Sequence, residues 1–131
     1  MSCSGGRKDD NCFSVRLMWR TDGAGELYVY LPTSATSSNT AALCDTPPKS
    51  FCNDDYGWSL GRGAFSFEPG KRTTVSQRVR MNDEGQENGE MELFVEGKSV
   101  VNVKGVVLGA SGSSRVRGMQ MQTFFGGTCA L

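Results

Sequence analysis

The chain has 131 residues, with 14 basic and 14 acidic side chains, no histidine, 17 glycines and five cysteines. That length suits one small domain burying roughly 65–70% of its unfolded surface, with no room for a second. Zero histidine removes Ser-His-Asp and Cys-His nucleophiles, His-ligated zinc and any imidazole base, which leaves proton chemistry to tyrosine, lysine, arginine-assisted groups or carboxylates. The balanced charge argues against a nucleic-acid partner. No apolar run approaches the roughly 20 residues that span a bilayer, so no membrane partner is expected either.

The N-terminal M-S-C-S-G-G-R-K-D-D lacks the apolar core of a signal peptide. Cys3 and Cys12 flank a Gly- and Asp-rich stretch, and Cys44 and Cys52 flank a Pro-containing one. Their spacings match neither zinc knuckles nor a thioredoxin motif. Two loop-stapling disulfides, Cys3–Cys12 and Cys44–Cys52, are one reading, with Cys129 free or paired outside the chain. Five thiols in a cytosolic protein are the other. Bridges place the protein in an oxidising compartment and, with no signal peptide present, imply a start upstream of Met1.

Period-2 patterning dominates and no long 3.6-period stripe occurs, so the fold class is all-β. Strands are expected at 13–20, 26–31, 63–68, 73–81, 90–96, 99–103 and 116–125. Turn signals separate them: T-D-G-A-G at 21–25, N-D-E-G-Q-E-N-G at 82–89, E-G-K at 96–98 and G-A-S-G-S-S at 109–114. The Ser-, Thr-, Asn- and Pro-rich stretch 33–55 reads as a long loop held by the Cys44–Cys52 staple. Short strands at this spacing suggest a sandwich or jelly roll of antiparallel sheets.

Alternation sorts the side chains onto faces. Phe13, Val15, Leu17 and Trp19 point to the core, and Ser14, Arg16, Met18 and Arg20 point away. In the next strand Leu27, Val29 and Leu31 point inward, and Glu26, Tyr28 and Tyr30 outward. The short turn makes these strands antiparallel neighbours, so Ser14, Arg16, Tyr28 and Tyr30 share one patch. By itself that patch is also what an ordinary half-wet sheet face looks like. Further on, Thr74, Ser76, Arg78 and Arg80 face Glu90, Glu92 and Glu96, opposite charges that stabilise a hairpin. The acidic run from Asp83 to Glu90 reads as a solvated tip. It does not match an EF-hand loop, and no metal or other cofactor is expected.

Five ordered strings carry a resemblance: F-S-V-R-L-M-W-R at 13–20, E-L-Y-V-Y-L-P at 26–32, T-T-V-S-Q-R-V-R-M-N at 73–82, N-G-E-M-E-L-F-V-E-G-K at 88–98 and M-Q-T-F-F-G-G at 121–127. Together they resemble the catalytic domain of polysaccharide lyase family 14, the alginate and polyglucuronate lyases. C-S-G-G-R and D-N-C-F-S around Cys3 and Cys12 resemble its secreted fungal members. The resemblance implies a concanavalin-like β-jelly roll whose concave sheet binds an acidic polysaccharide. It also implies an extracellular setting, and a monomer is expected. The family's S-x-R strand matches Ser14 and Arg16, and its Y-x-Y strand matches Tyr28 and Tyr30. These four become the expected catalytic residues, with Arg20, Gln120 and Gln122 as substrate-binding groups. The family's catalytic lysine lies in a K-L-P-G segment upstream of the S-x-R strand, which this chain starts too late to contain. The chain is therefore expected to be the central part of the domain, truncated at both ends, or a truncated relative of it, that binds polyuronate weakly and cleaves it slowly or not at all.

The chemistry so implied is β-elimination: the proton at C5 leaves, the C4 oxygen departs, and a cation neutralises the neighbouring carboxylate. Arg16 suits the carboxylate, and Tyr28 and Tyr30 suit the base and acid roles in either order. The alternative is a non-catalytic carbohydrate-binding β-sandwich that keeps the groove. A further possibility is a β-domain that binds protein partners through a sheet edge.

Overall fold

A computed structural model of the chain describes residues 9, 10 and 12–123. Cys3, Cys129 and the last residues of the strand expected at 116–125 lie outside the described residues. Two antiparallel three-stranded sheets carry the fold. The first has the order β1 (Ser14–Trp19), β2 (Gly25–Tyr30), β3 (Trp58–Leu60). The second has the order β4 (Val75–Arg80), β5 (Gly89–Val95), β6 (Lys98–Val106). The antiparallel jelly-roll sandwich read from the sequence is the fold class observed.

The alternating pattern explains how the sheets meet. Leu27, Val29, Trp58 and Leu60 from the first sheet join Met91, Leu93, Val101, Val103 and Val106 from the second in one buried cluster. Phe13, Val15 and Leu17 pack against it from β1 and the residue before it. Trp19 departs from the expected core set. It lies at the end of β1, is 55% exposed, and packs edge-on against Phe67 at 5.5 Å.

Turn chemistry sets the registers. Glu96 and Gly97 both adopt positive φ, 49° and 76°, between the paired residues Val95 and Lys98. Two successive positive φ values match the right-handed twist of a two-residue hairpin. Across β4 and β5, Arg78 pairs in register with Glu92 and Arg80 with Glu90, and Arg78 also forms an ion pair with Glu90. This is the charge-paired hairpin that the sequence suggested.

Three stretches differ from expectation. Within 33–55, α1 (Thr36–Leu43) replaces continuous loop. Its anchors are tertiary. Leu43 is fully buried, and the Asn39 amide donates to the Val107 carbonyl at 3.0 Å and accepts from its N–H at 2.8 Å. Residues 63–68 make one bridge, Ala24 to Ser66, rather than a strand, and the third place in the first sheet goes to β3. Residues 116–123 form no strand.

Cys44 and Cys52 form a disulfide, as expected, with Cα atoms 5.8 Å apart. Cys12 is also disulfide-bonded. The bridge from Cys44 closes the loop that delivers Phe51, whose N–H and carbonyl pair with Ser59 at 2.8 and 2.9 Å. Closing a loop of this size stabilises by about 2–3 kcal/mol through the unfolded chain's lost entropy. A Cys44→Ser/Cys52→Ser double variant is expected to lose about that much in a urea titration. An unchanged midpoint would show that the loop is already ordered without the bridge.

Candidate active site on the outer face of the first sheet

Register places the sequence-predicted residues together. Ser14 lies opposite Tyr30 and Arg16 opposite Tyr28 on the β1–β2 ladder, so all four belong to the face turned away from the core. The Arg16 guanidinium stands 5.3 Å from the centre of the Tyr30 ring, and that of Arg20 stands 5.6 Å from the Tyr28 ring. The two tyrosine rings meet edge to face at 5.7 Å. Tyr28 is half-buried, whereas Tyr30 is buried, with 4% of its surface exposed. Gln120 and Gln122 are exposed in a segment without strand pairing, and among the described residues no hydrogen bond joins them to this face.

Glu26 changes the picture most. Sequence alternation put it on the outer face beside the tyrosines, yet its side chain is fully buried. Ser59 Oγ donates to Glu26 Oε2 at 2.5 Å, and Arg62 Nε donates to the same oxygen at 2.7 Å. Arg20 contacts Oε1 through both Nε at 2.8 Å and Nη2 at 2.7 Å. Burial alone pushes the Glu26 carboxyl up. The hydrogen bonds from Ser59, Arg20 and Arg62 and the charge of Arg20 outweigh it, so the group lies below the ordinary glutamate value.

The Tyr28 phenol moves the other way. Burial, then its hydrogen bond to Tyr30 and the charge of that neighbour, push it up to about 12, against the opposing pull of the Gly57 N–H and of Arg20. Positive surroundings therefore do not make Tyr28 a ready phenolate; it holds its proton. Beside it lies a cleft of about 260 Å³ lined by Arg20, Tyr28, Phe51, Asn53, Tyr56, Gly57, Ser59 and Arg62. The loop under Tyr56 is tied by Asn53, whose Oδ1 accepts the N–H groups of Asp55 and Tyr56 at 2.7 and 2.9 Å.

A solved structure described as the marine PL-14 alginate lyase from Aplysia kurodai superposes with a TM-score of 0.78 at 37% identity. The match covers 96% of this chain and 48% of that one, so the chain spans about half the length of that structure. No curated protein matches it. The Polysaccharide lyase 14 family model matches residues 1–130. The chain belongs to the polysaccharide lyase 14 family.

For this family member, sequence reasoning found the two ladder strands and missed what β3 and its flanking loops contribute. Ser59 enters the face because it pairs with Tyr28 across β2 and β3. Arg62, Phe51 and Tyr56 arrive from segments with no strand periodicity. Gly57 has a packing role: a Cβ there would lie 2.7 Å from the Tyr30 ring and 2.8 Å from the Tyr28 ring. Gly57→Ala is therefore expected to displace the tyrosines and cost about 1–3 kcal/mol by overpacking. The tyrosine signal in near-UV circular dichroism should change with it. Gly118→Ala, with open space around it, is the silent control; equal behaviour of the two variants would refute the packing role.

The lowered Glu26 pKa predicts an acid dependence of stability. The unfolded chain binds the proton first, so stability is full above the unfolded value and declines as pH falls through the folded one. Glu26→Gln should flatten that acid limb. It should also cost less than the roughly 3–5 kcal/mol typical of a broken buried pair, because Arg20 and Arg62 keep 39% and 31% of their side chains in water. Asp10, also held low, by the Ser34 N–H and the Thr33 hydroxyl, adds to the acid dependence in the same direction and is unaffected by the substitution. An identical acid limb in the variant would remove Glu26 as its source.

Proposed function

We propose that the chain acts as a polysaccharide lyase, cleaving a uronate polymer such as alginate or a glucuronan by β-elimination on the outer face of the first sheet. The observation that carries this reading is the juxtaposition of Ser14, Arg16, Tyr28 and Tyr30 across one antiparallel ladder. Family membership and the likeness to a structure titled as an alginate lyase support it. The Cys44–Cys52 disulfide supports work in an oxidising, extracellular setting.

The C5 proton becomes removable once the uronate carboxylate is neutralised, because the electrons left on C5 spread onto that group. Arg16 offers a planar fork of donors matched to a carboxylate, and Ser14 adds a hydroxyl beside it. Tyr28 is the acid. With its phenol held up to about 12, it carries a proton throughout the neutral range and can deliver it to O4 as the C4–O bond breaks. Tyr30, beside the Arg16 cation, is left as the group that accepts the C5 proton. The C–H electron pair becomes the C4=C5 double bond as the C4–O pair leaves on O4. Tyr30 has to enter as the phenolate and ends protonated, and Tyr28 enters as the phenol and ends as the phenolate, so the proton count balances.

The assay is the ultraviolet absorbance of the unsaturated product from alginate and from glucuronan. Tyr28→Phe and Tyr30→Phe are each expected to reduce turnover by about 10²–10⁴, and Arg16→Ala by about 10²–10³. A substrate with a better leaving group at C4 should recover turnover in Tyr28→Phe and not in Tyr30→Phe, since only an acid becomes dispensable when departure is easy. Turnover that survives Phe at both tyrosines would place the site elsewhere. Binding of acidic oligosaccharides without any unsaturated product would make the chain a carbohydrate-binding module instead.

A further inference from the structure

The cleft next to Tyr28 carries more positive charge than its buried carboxylate consumes. Arg62 gives its Nε to Glu26 and Ser59, at 2.7 and 3.2 Å. Among the described residues its two Nη groups make no hydrogen bond or ion pair, and its side chain remains 31% exposed. Arg20 likewise engages Glu26 through Nε and Nη2 while lining the same cleft. One carboxylate thus fixes two guanidinium groups from behind. Lys49, a third cation nearby that does not itself line the cleft, stands 4.9 Å from the centre of the Phe51 ring, with Arg62 at 4.3 Å from that ring. Phe51 and Tyr56 are exposed aromatic rings, 40% and 58% accessible. Asp54 and Asp55, on the neighbouring loop, do not line the cleft.

We infer that this cleft is a second sugar subsite, in which Arg62, seconded by the nearby charge of Lys49, reads the carboxylate of the uronate adjoining the one that reacts, while Tyr56 supports its ring. The inference rests on the uronate reading of the face and extends it to a specificity-determining position. Three features favour a carboxylated sugar over other occupants. A planar fork held at Nε is matched to a carboxylate. An aromatic ring suits the apolar C–H face of a pyranose. The cleft opens beside Tyr28, so a sugar in it continues the chain bound along β1 and β2. Preorganisation by Glu26 also means that little side-chain entropy is lost on binding.

The test is calorimetric binding of a uronate tetramer, and of the same tetramer with its carboxyls reduced to alcohols, to the full chain. Arg62→Gln is expected to weaken the acidic tetramer about tenfold and leave the reduced one unchanged. Lys49→Gln lies outside the Glu26 cluster and keeps that cluster intact if Arg62→Gln fails to fold; it should weaken the acidic ligand severalfold, again without effect on the reduced one. Tyr56→Leu should weaken both ligands alike. Equal loss for both ligands in Arg62→Gln, or wild-type affinity for the acidic tetramer in Lys49→Gln, would overturn the subsite. Product absorbance is scored separately. Carboxylate-dependent binding through Arg62 with no unsaturated product sinks the lyase reading and keeps the subsite, whereas normal cleavage with wild-type affinity in the variants does the reverse.

Discussion

The buried Glu26 carboxylate is the constraint around which the outer face of the first sheet is arranged. A carboxylate without water is tolerated only when charge and hydrogen bonds replace its hydration. Here the replacements come from three places: Arg20 just after β1, Ser59 in β3, and Arg62 in the loop beyond β3. One acidic group on the central strand therefore joins both of its neighbours across the face opposite the core. The same contacts fix the aim of two guanidinium groups. Removing Glu26 would free both to seek other partners, so the geometry beside Tyr28 depends on a residue that need not touch a substrate.

Strand β2 works on both faces at once. Leu27 and Val29 are sealed in the interior, and the alternating Glu26, Tyr28 and Tyr30 belong to the face that carries the candidate site. Packing and chemistry are consequently coupled through one six-residue strand. A register slip of a single residue would send the tyrosines into the core and the aliphatic chains onto the outer face. The Gly57 amide meets Tyr28, and the absence of a side chain at Gly57 makes room for both rings. Farther out, the Cys44–Cys52 bridge and the clamp of Asn39 on Val107 hold the segment that carries Phe51 to the cleft.

This division explains what was legible in the sequence. The four-residue patch and both hairpins follow from period-2 alternation and short turns, which are local. Arg16 and Tyr28 could be placed side by side because only five residues, 21–25, were read as separating their strands. Helix α1 gave no such signal. T-S-S-N-T-A-A-L opens on five weak helix formers and has no amphipathic stripe, and the segment is helical because Leu43 and Asn39 find partners in the core and at Val107. Strand β3 is three residues long, too short to show a period. Glu26 was assigned to the correct face with the wrong environment. Alternation reports direction, whereas burial was decided by Arg62, 36 residues away. Gln120 and Gln122 were placed by analogy, with no strand pairing at 116–123 to carry them to the site.

The zero net charge of the chain conceals an asymmetry between the two outer faces. On the second sheet Arg78 and Arg80 are matched by Glu90 and Glu92, and Lys104 stands in register with Glu90. Charges there are interleaved and largely cancel, which suits a solvated surface. On the first sheet Arg16, Arg20 and Arg62 share the outer face with Glu26, and that carboxylate is withdrawn from solvent behind two of them. A polyanion approaching the molecule therefore meets donors on one face and a neutralised ladder on the other. Balanced overall charge argues against indiscriminate binding to phosphates and does not bear on selective binding to carboxylates, because selectivity comes from where the arginines are held and not from how many the chain contains.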